Sequence, residues 1–183
     1  QPFRWLMRHE WGKKLLFVFF GKKKDKKGGW PEWVVKTDEE RVQNMPWILQ
    51  DKSEWIMTEK IDGTSTTFTM KRGKRKNSFD FYVCSRNVVF DKPDKQCFYE
   101  TNVYIEMAEK YKVEDVLKKI LTANPDFEWV TIQGETYGAG IQKRDYSMTW
   151  HDFMAFNFID SKRGRWNSVE AANLLKEYGI SWV

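Results

Sequence analysis

The feature that most constrains this chain is the stretch 58–65, with the sequence Thr-Glu-Lys-Ile-Asp-Gly-Thr-Ser. It places Lys60 between the carboxylates of Glu59 and Asp62 and shortly before Gly63. A lysine amine is a poor nucleophile at neutral pH, because an ordinary lysine pKa of about 10.4 keeps it protonated. In a dry pocket near other cations or a metal ion, such an amine loses its proton more easily and can attack an electrophile. The stretch is therefore a candidate covalent catalytic site.

The residues around the lysine allow two interpretations. Residues 55–60 are predicted to form a strand that delivers Lys60, and residues 66–71 its hairpin partner. Gly63 would let the backbone approach a ligand closely, and Asp62 would orient the amine or hold a metal-bound water. The simpler interpretation is a surface turn between two strands. The rest of the chain has to decide between them.

Composition limits the protein class without identifying it. A chain of 183 residues is long enough for one well-packed domain, and its excess of Lys and Arg over Asp and Glu (31 against 26) suits a polyanionic partner such as nucleic acid. Two cysteines without metal-ligand spacing argue against structural zinc and fit a reducing compartment. The longest apolar run, residues 15–20, is too short to cross a bilayer. We expect a soluble, cytoplasmic monomer without membrane contact.

The sequence divides into three parts. Residues 1–20 are predicted to be the remnant of an N-terminal module, and residues 21–33 a flexible linker because 21–29 is rich in Lys and Gly. Residues 34–183 form the main domain. At its start, Thr37 and Glu40 form a capping box that predicts a helix running toward Met45 and stopping or kinking before Pro46.

The main domain is predicted to be α+β. Strands are expected at 79–85, after a basic turn at 72–77, and then at 128–136, 153–160 and 180–183. Two helices carry buried stripes at helical spacing, formed by Tyr104, Met107, Ala108 and Tyr111, and by Val116, Leu117, Ile120 and Leu121. Asn167 or Ser168 is predicted to cap a last helix, whose predicted inward residues are Val169, Ala172, Leu175 and Tyr178.

Three further clusters carry chemical groups. Arg86 follows a strand in Cys-Ser-Arg-Asn and offers a planar, charged fork to a phosphate. Glu135 ends a strand beside glycines, where a carboxylate can bind ribose hydroxyls or Mg²⁺. The strand 153–158 has three phenylalanines, of which one can stack on a purine. Taken singly, each also fits a structural role as a surface arginine, an ordinary turn or a core strand.

The order of these motifs resembles that of covalent nucleotidyltransferases. It runs Lys-x-Asp-Gly, Ser-Arg, Gly-Glu and Phe-x-Ala-Phe. The stretches 59–65, 84–87 and 140–142 look most like ATP-dependent RNA ligases of the nick-sealing type. The stretch 36–41 looks like their bacterial branch, which carries an oligonucleotide-binding module before the catalytic domain. The resemblance covers roughly residues 34–183. It implies an adenylyltransferase domain in which antiparallel sheets flank a nucleotide pocket and helices lie outside.

The resemblance also implies roles for single residues. Lys60 would attack the α-phosphate of ATP to form lysyl-AMP, and Asp62 would support its geometry. Glu59 would lie beside the adenine, and Ser65 near the reacting phosphate. The remaining implied contacts are Arg86 to the nucleotide and the 5′-phosphate end, Glu135 to the ribose or to Mg²⁺ or Mn²⁺, and Phe156 to the adenine ring.

The resemblance leaves open which polynucleotide is joined. The family's later Glu-Gly and Lys-x-Lys motifs are absent from these 183 residues, so we expect a C-terminally truncated domain of a longer ligase. The expected partner is nicked RNA or an RNA-containing duplex. The alternatives are a DNA ligase, a GTP-using mRNA-capping guanylyltransferase and a non-catalytic nucleic-acid-binding domain. For any of the enzymes, Lys60, Arg86, Glu135 and Phe156 should converge on one pocket.

Overall fold

The computed structural model describes residues 30–36, 39–90 and 97–183. Within them the chain forms a sheet of seven strands and three α-helices, which confirms the α+β class. The strands are β1 (Thr64–Arg72), β2 (Phe79–Ser85), β3 (Val89–Phe90), β4 (Trp129–Gly138), β5 (His151–Asp160), β6 (Gly164–Arg165) and β7 (Ser181–Trp182). The helices are α1 (Val103–Lys110), α2 (Val113–Ala123) and α3 (Ser168–Glu177).

The strands lie in the order β3-β2-β1-β4-β5-β6, with every neighbouring pair antiparallel, and β7 pairs in parallel with β5. Side chains alternate between two faces along each strand. In β1, Phe68 and Met70 point towards the helices, whereas Thr69 and Lys71 lie on the opposite face with Trp33. We call these the helix face and the open face of the sheet.

The hydrophobic core lies between the helix face and the three helices. Both predicted helical stripes are confirmed, because their residues are buried or pack against this core. Phe68 of β1 and Phe153 of β5 meet edge to face at 5.1 Å in its centre. No helix in the described part of the chain is both long and apolar enough to span a bilayer.

Polar groups define the helix ends. The side chain of Asn167 accepts a hydrogen bond from the backbone N–H of Val169 at 2.9 Å, which confirms Asn167 as the N-cap of α3. Arg72, predicted to lie in a basic turn, instead donates from its guanidinium to the carbonyl oxygens of Leu121 and Asn124. It thereby satisfies carbonyls at the C-terminal end of α2.

Residues 30–36 cross the open face of the sheet. The Trp33 indole N–H donates to Thr69 Oγ1 at 3.0 Å, and its ring meets Tyr82 edge to face. The side-chain amide of Gln133 donates to the Val35 carbonyl at 2.7 Å. The end of the predicted linker is therefore packed on the domain, while residues 1–29 lie outside the described part of the chain.

The strand predicted at 55–60 is wrong. These residues have no regular structure and are exposed, and the first strand starts at Thr64. The edges of β1 are taken by β2 and β4, so the preceding segment has no place beside β1 in the sheet. β1 instead forms a hairpin with β2, and the basic turn connects the two strands.

Two helix predictions also need correction. Thr37 of the capping box lies outside the described residues, and the segment that follows contains two 3-10 helices, Val42–Asn44 and Pro46–Gln50. Pro46 begins the second one, because the first position of a helix needs no N–H. In α3, Val169 is 55% exposed, and the buried residues are Ala171 and Leu175.

Replacing a buried leucine tests the core. Leu117→Ala in α2 should lower the free energy of unfolding by about 2–5 kcal/mol, since the side chain is fully buried and its loss leaves a cavity. Leu49→Ala removes the same atoms from a side chain that is 79% exposed, and should change stability by less than about 0.5 kcal/mol. Urea unfolding measures both, and equal losses would contradict this core.

Candidate active site

A cleft of about 820 Å³ opens on the open face of the sheet, beside the loop that precedes β1. Its lining contains six of the seven predicted site residues, namely Glu59, Lys60, Ser65, Arg86, Glu135 and Phe156. The expected convergence of Lys60, Arg86, Glu135 and Phe156 is therefore present. The other lining residues are Glu39, Arg41, Thr58, Ile61, Gly63, Thr64, Gln142, Asn157 and Val183.

Strand register sets the floor of the cleft. In the antiparallel pairing of β1 with β4, Ser65 lies directly opposite Glu135, and both side chains are on the open face. Their Cβ atoms are therefore close neighbours, as for any directly opposed pair. Two segments that are 70 residues apart in sequence thus place a hydroxyl and a carboxylate side by side.

A β-bulge places Phe156 in the cleft. Gln133 pairs with Asn157, but the next residue of β4, Gly134, pairs with Ala155, so Phe156 is the extra residue. Because a bulge changes the phase of alternation, Phe153 and Phe158 both reach the core while Phe156 and Asn157 both line the cleft. Asn157 is held there by donating its amide to Gln133 Oε1 at 3.1 Å.

Glu135 carries the clearest electrostatic perturbation of the cleft. Burial raises the pKa of its carboxyl above the ordinary value of 4.5, because the charged form is poorly solvated there. The Gly63 N–H, which donates to Glu135 Oε1 at 3.2 Å, and the charge of Lys60 lower this pKa, whereas Asp62 raises it. Lys60 and Glu135 are thus within electrostatic reach of each other.

Gly63 allows a close approach, but to the protein itself. A Cβ at this position would lie 2.2 Å from the Thr136 carbonyl oxygen and 3.1 Å from Glu135 Cγ. The sequence predicted an approach to a ligand; the structure shows that the loop backbone presses on β4. This contact keeps the Lys60 loop beside the floor of the cleft.

The loop is also bonded to the segment after β4. The Asp62 N–H donates to the Tyr146 hydroxyl oxygen at 2.8 Å, and the Gln142 amide donates to the Gly63 carbonyl at 3.0 Å. Ile61 is buried, 8% exposed, between these bonds and Lys60.

The charged residues of the site are accessible. Lys60, Glu59 and Arg86 are exposed on the cleft wall, and Asn87, next to Arg86, accepts a hydrogen bond from Lys36 Nζ at 3.1 Å. Asp62 is exposed and is the one predicted site residue outside the cleft lining. The contact that the structure shows at Asp62 is made by its backbone N–H, which donates to the Tyr146 hydroxyl.

The lining suits a divalent cation that binds mainly to phosphates. The described residues contain no group of three His, Cys, Asp or Glu side chains arranged to hold a metal ion. Mg²⁺ commonly uses one or two carboxylates together with substrate phosphates. Glu135 is the carboxylate on the cleft floor that fits this type of site.

Asn157 and Tyr146 were not predicted as site residues from the sequence, and Gln142 was not predicted to have a role. The sequence did contain an indication for Asn157. The apolar residues of this strand are odd-numbered at Phe153 and Ala155 but even-numbered at Phe156 and Phe158, so the side of the sheet that they face changes within the strand. A phase change within a strand indicates a bulge. Tyr146 had no comparable signal, since its contact with Asp62 spans 84 residues.

The raised pKa of Glu135 predicts how stability depends on pH. Because the folded carboxyl holds its proton to higher pH than the unfolded one, the free energy of unfolding falls as pH rises from 4.5 through the folded pKa. Glu135→Gln carries no ionisable group here, so its free energy of unfolding does not fall for this reason. Its side-chain oxygen can still accept from the Gly63 N–H. The stability of Glu135→Gln relative to wild type should therefore increase across this pH range.

Urea unfolding at a series of pH values measures that difference. Glu109→Gln, which removes an exposed carboxylate from α1, is the control for loss of a surface charge. A relative stability of Glu135→Gln that stays constant or falls as pH rises would contradict the burial cost assigned to this carboxylate.

Comparison with known proteins points to one family. The model of a family described as RNA ligase matches residues 53–183. A structure of Naegleria gruberi RNA ligase with AMP and Mn aligns with a TM-score of 0.66 and 27% identity, and a second with ATP and Mn aligns with 0.66 and 26%. Each alignment covers 84% of this chain and 43% of that one. No curated protein matches the sequence.

A third Naegleria gruberi RNA ligase structure, with ATP and Mn, covers 92% of this chain and 50% of that one at 24% identity and a TM-score of 0.66, and supports the fold. The chain thus spans half or less of the length of these ligases. The resemblance to RNA ligases and the nucleotidyltransferase-like fold are confirmed. Because the family model matches more than half of its residues, the chain belongs to the RNA ligase family.

Proposed function

We propose that the protein containing this chain is an ATP-dependent RNA ligase that joins 3′-hydroxyl and 5′-phosphate ends at nicks through a lysyl-AMP intermediate. The observation that carries the proposal is one cleft lined by Lys60, Arg86, Glu135 and Phe156. This set combines a nucleophile, a phosphate ligand, a carboxylate and an aromatic ring. The Naegleria gruberi RNA ligase structures, which contain ATP or AMP with Mn, support the choice of nucleotide and metal.

In the first step, the deprotonated Lys60 Nζ attacks the α-phosphorus of ATP. A phosphorus–nitrogen bond forms, the bond to the bridging oxygen breaks and pyrophosphate leaves, while one of the two amine protons passes to solvent and the other stays on the nitrogen. Arg86 holds phosphate oxygens, because a guanidinium presents several donors in one plane. Ser65 lies near the reacting phosphate. A bound Mg²⁺ or Mn²⁺ would offset the negative charge that develops on the phosphates.

The nucleoside half of ATP fits the floor and wall of the cleft. Phe156 and Glu59 both line the cleft. We assign Phe156 to stacking on the adenine ring, and the Glu59 backbone to hydrogen bonds with the base edge. Glu135 accepts from the ribose hydroxyls or contributes a metal ligand. Its oxygen Oε1 already accepts from the Gly63 N–H, and we assign the nucleotide contact to the other oxygen.

The later steps use the polynucleotide. An oxygen of the 5′-phosphate attacks the phosphorus of lysyl-AMP, which frees the Lys60 amine and leaves AMP joined to the RNA end. The 3′-hydroxyl oxygen then attacks the 5′-phosphate, a phosphodiester bond forms and the anhydride bond to AMP breaks. AMP leaves with the electron pair of that bond, and the hydroxyl proton passes to solvent. Arg86, at the exposed side of the cleft, contacts the 5′-phosphate end. The excess of basic residues in the chain suits this polyanionic substrate.

Intact mass spectrometry tests the first step. The full gene product containing this chain, incubated with ATP and Mg²⁺, should gain the mass of one AMP, and Lys60→Ala should gain none. GTP in place of ATP should give no adduct, which separates a ligase from a capping guanylyltransferase.

Lys52→Ala is the matched control, because Lys52 is an exposed lysine of the same segment. It should be adenylylated like wild type. An adduct on Lys60→Ala would remove Lys60 from the mechanism, and a folded wild-type protein without an adduct would favour a nucleic-acid-binding domain. Nicked duplexes with an RNA or a DNA 3′-end then distinguish an RNA ligase from a DNA ligase, and faster sealing of the RNA end is expected.

Stacking on Phe156 predicts a loss of ATP affinity on substitution. Phe156→Leu keeps an apolar side chain but removes the ring, whose stacking on a base contributes about 1–3 kcal/mol. The Kd for ATP should therefore rise by about five- to a hundredfold, measured by calorimetry. Phe98→Leu makes the same change at a side chain that is 95% exposed and outside the cleft lining. Equal Kd values for the two variants would contradict the stacking role.

A further inference from the structure

We infer that Tyr146 and Gln142 are positioning residues, which fix the loop of Lys60 from the segment after β4. The inference rests on the proposed function and adds two residues to it. Its basis is the set of hydrogen bonds on residues 62–63, in which Tyr146, Gln142 and Glu135 each hold a different backbone group. We call these three bonds the loop clamp.

Tyr146 holds the first backbone group. Its hydroxyl oxygen accepts from the Asp62 N–H at 2.8 Å. The ring itself is fixed edge to face against Tyr137, with centroids 5.3 Å apart, and the Arg144 guanidinium lies 6.0 Å from its centre. Tyr137 belongs to β4, so the hydroxyl position is set by the sheet. A mobile surface tyrosine would lack this support.

Gln142 holds the second group from an unusual backbone conformation. Its amide donates to the Gly63 carbonyl at 3.0 Å, while its own φ is 56°, in the left-handed region. For a residue other than glycine, this backbone conformation costs about 1–2 kcal/mol. It persists only where the surrounding structure holds the residue in it. Ile141, just before it, is 1% exposed and fixes the segment in the core. The conformation thus aims the amide at the loop.

The clamp acts on one side of the lysine. All residues from 51 to 60 are exposed, so packing restrains Lys60 little from its N-terminal side. On its C-terminal side follow the buried Ile61 and then the clamped residues 62–63. The direction of the Lys60 side chain is therefore set from residues 61–63. A displacement of about 1 Å at a reacting group can lower a rate by about a hundredfold.

This geometry predicts a specific kinetic effect. Tyr146→Phe removes only the hydroxyl oxygen, and Gln142→Met keeps the length of the side chain while removing its donor. Each should slow lysyl-AMP formation at saturating ATP by about tenfold in single-turnover experiments. The Kd for ATP should change by less than about twofold, because neither group is proposed to bind the nucleotide.

Amide exchange gives an independent measurement in the same protein. The Asp62 N–H loses its acceptor in Tyr146→Phe and should exchange faster with solvent. Gln142→Met removes the donor to the Gly63 carbonyl, so the loop should open more often and the Gly63 N–H, which donates to Glu135, should also exchange faster. Tyr178→Phe, which removes a hydroxyl from a side chain packed on the core beside α3, is the matched control. It should change neither the rate nor the exchange. If Gln142→Met does not fold, Tyr146→Phe decides.

The possible failures can be told apart. Wild-type rates in both variants, with lysyl-AMP formed normally, would overturn the positioning role and leave the proposed function intact. A rate that falls together with ATP affinity would also overturn it, since it would indicate general damage to the cleft. A wild-type protein that forms no lysyl-AMP would refute the proposed function, and with it the catalytic purpose of the clamp.

Discussion

The antiparallel pairing of β1 with β4 is the interaction on which the rest of the site depends. This register sets Ser65 opposite Glu135 and brings Gly63 against the Thr136 carbonyl. A slip of one residue would send every side chain of β1 to the other face of the sheet. It would bury Ser65 among the helices and expose Phe68. The same hydrogen bonds that build the core therefore align the cleft floor.

The bulge in β5 lets one strand serve the core and the cleft. Without it, strict alternation from Phe153 would place Asn157 in the core and Phe158 in the cleft. Burying an amide there without a partner would cost about 1–3 kcal/mol. With the bulge, Asn157 instead donates to Gln133, whose own amide donates to Val35. Buried polar groups beside the cleft are thus paired, and Phe156 remains available to a ligand.

Much of the fold could be predicted from local patterns. The strand 79–85 and the helical stripes around Met107 and Leu117 agree with the structure, because burial of one face leaves a periodic signal in the sequence. The prediction of a strand at residues 55–60 was wrong, because apolar content alone does not provide a neighbouring strand to pair with. The contact of Arg72 with the end of α2 could not be predicted either, because its carbonyl acceptor at Asn124 is distant in sequence.

By itself, the sequence determined the kinds of chemical group in the site and their order, from Lys60 through Arg86 and Glu135 to Phe156. An amine, a guanidinium, a carboxylate and an aromatic ring are properties of residue type, so they are visible without coordinates. Only the tertiary structure decided that these groups share one cleft and that Tyr146 and Gln142 hold the loop beside it. Strand register, bulges and contacts across 79 or 84 residues depend on how all elements pack together, and no local pattern encodes them.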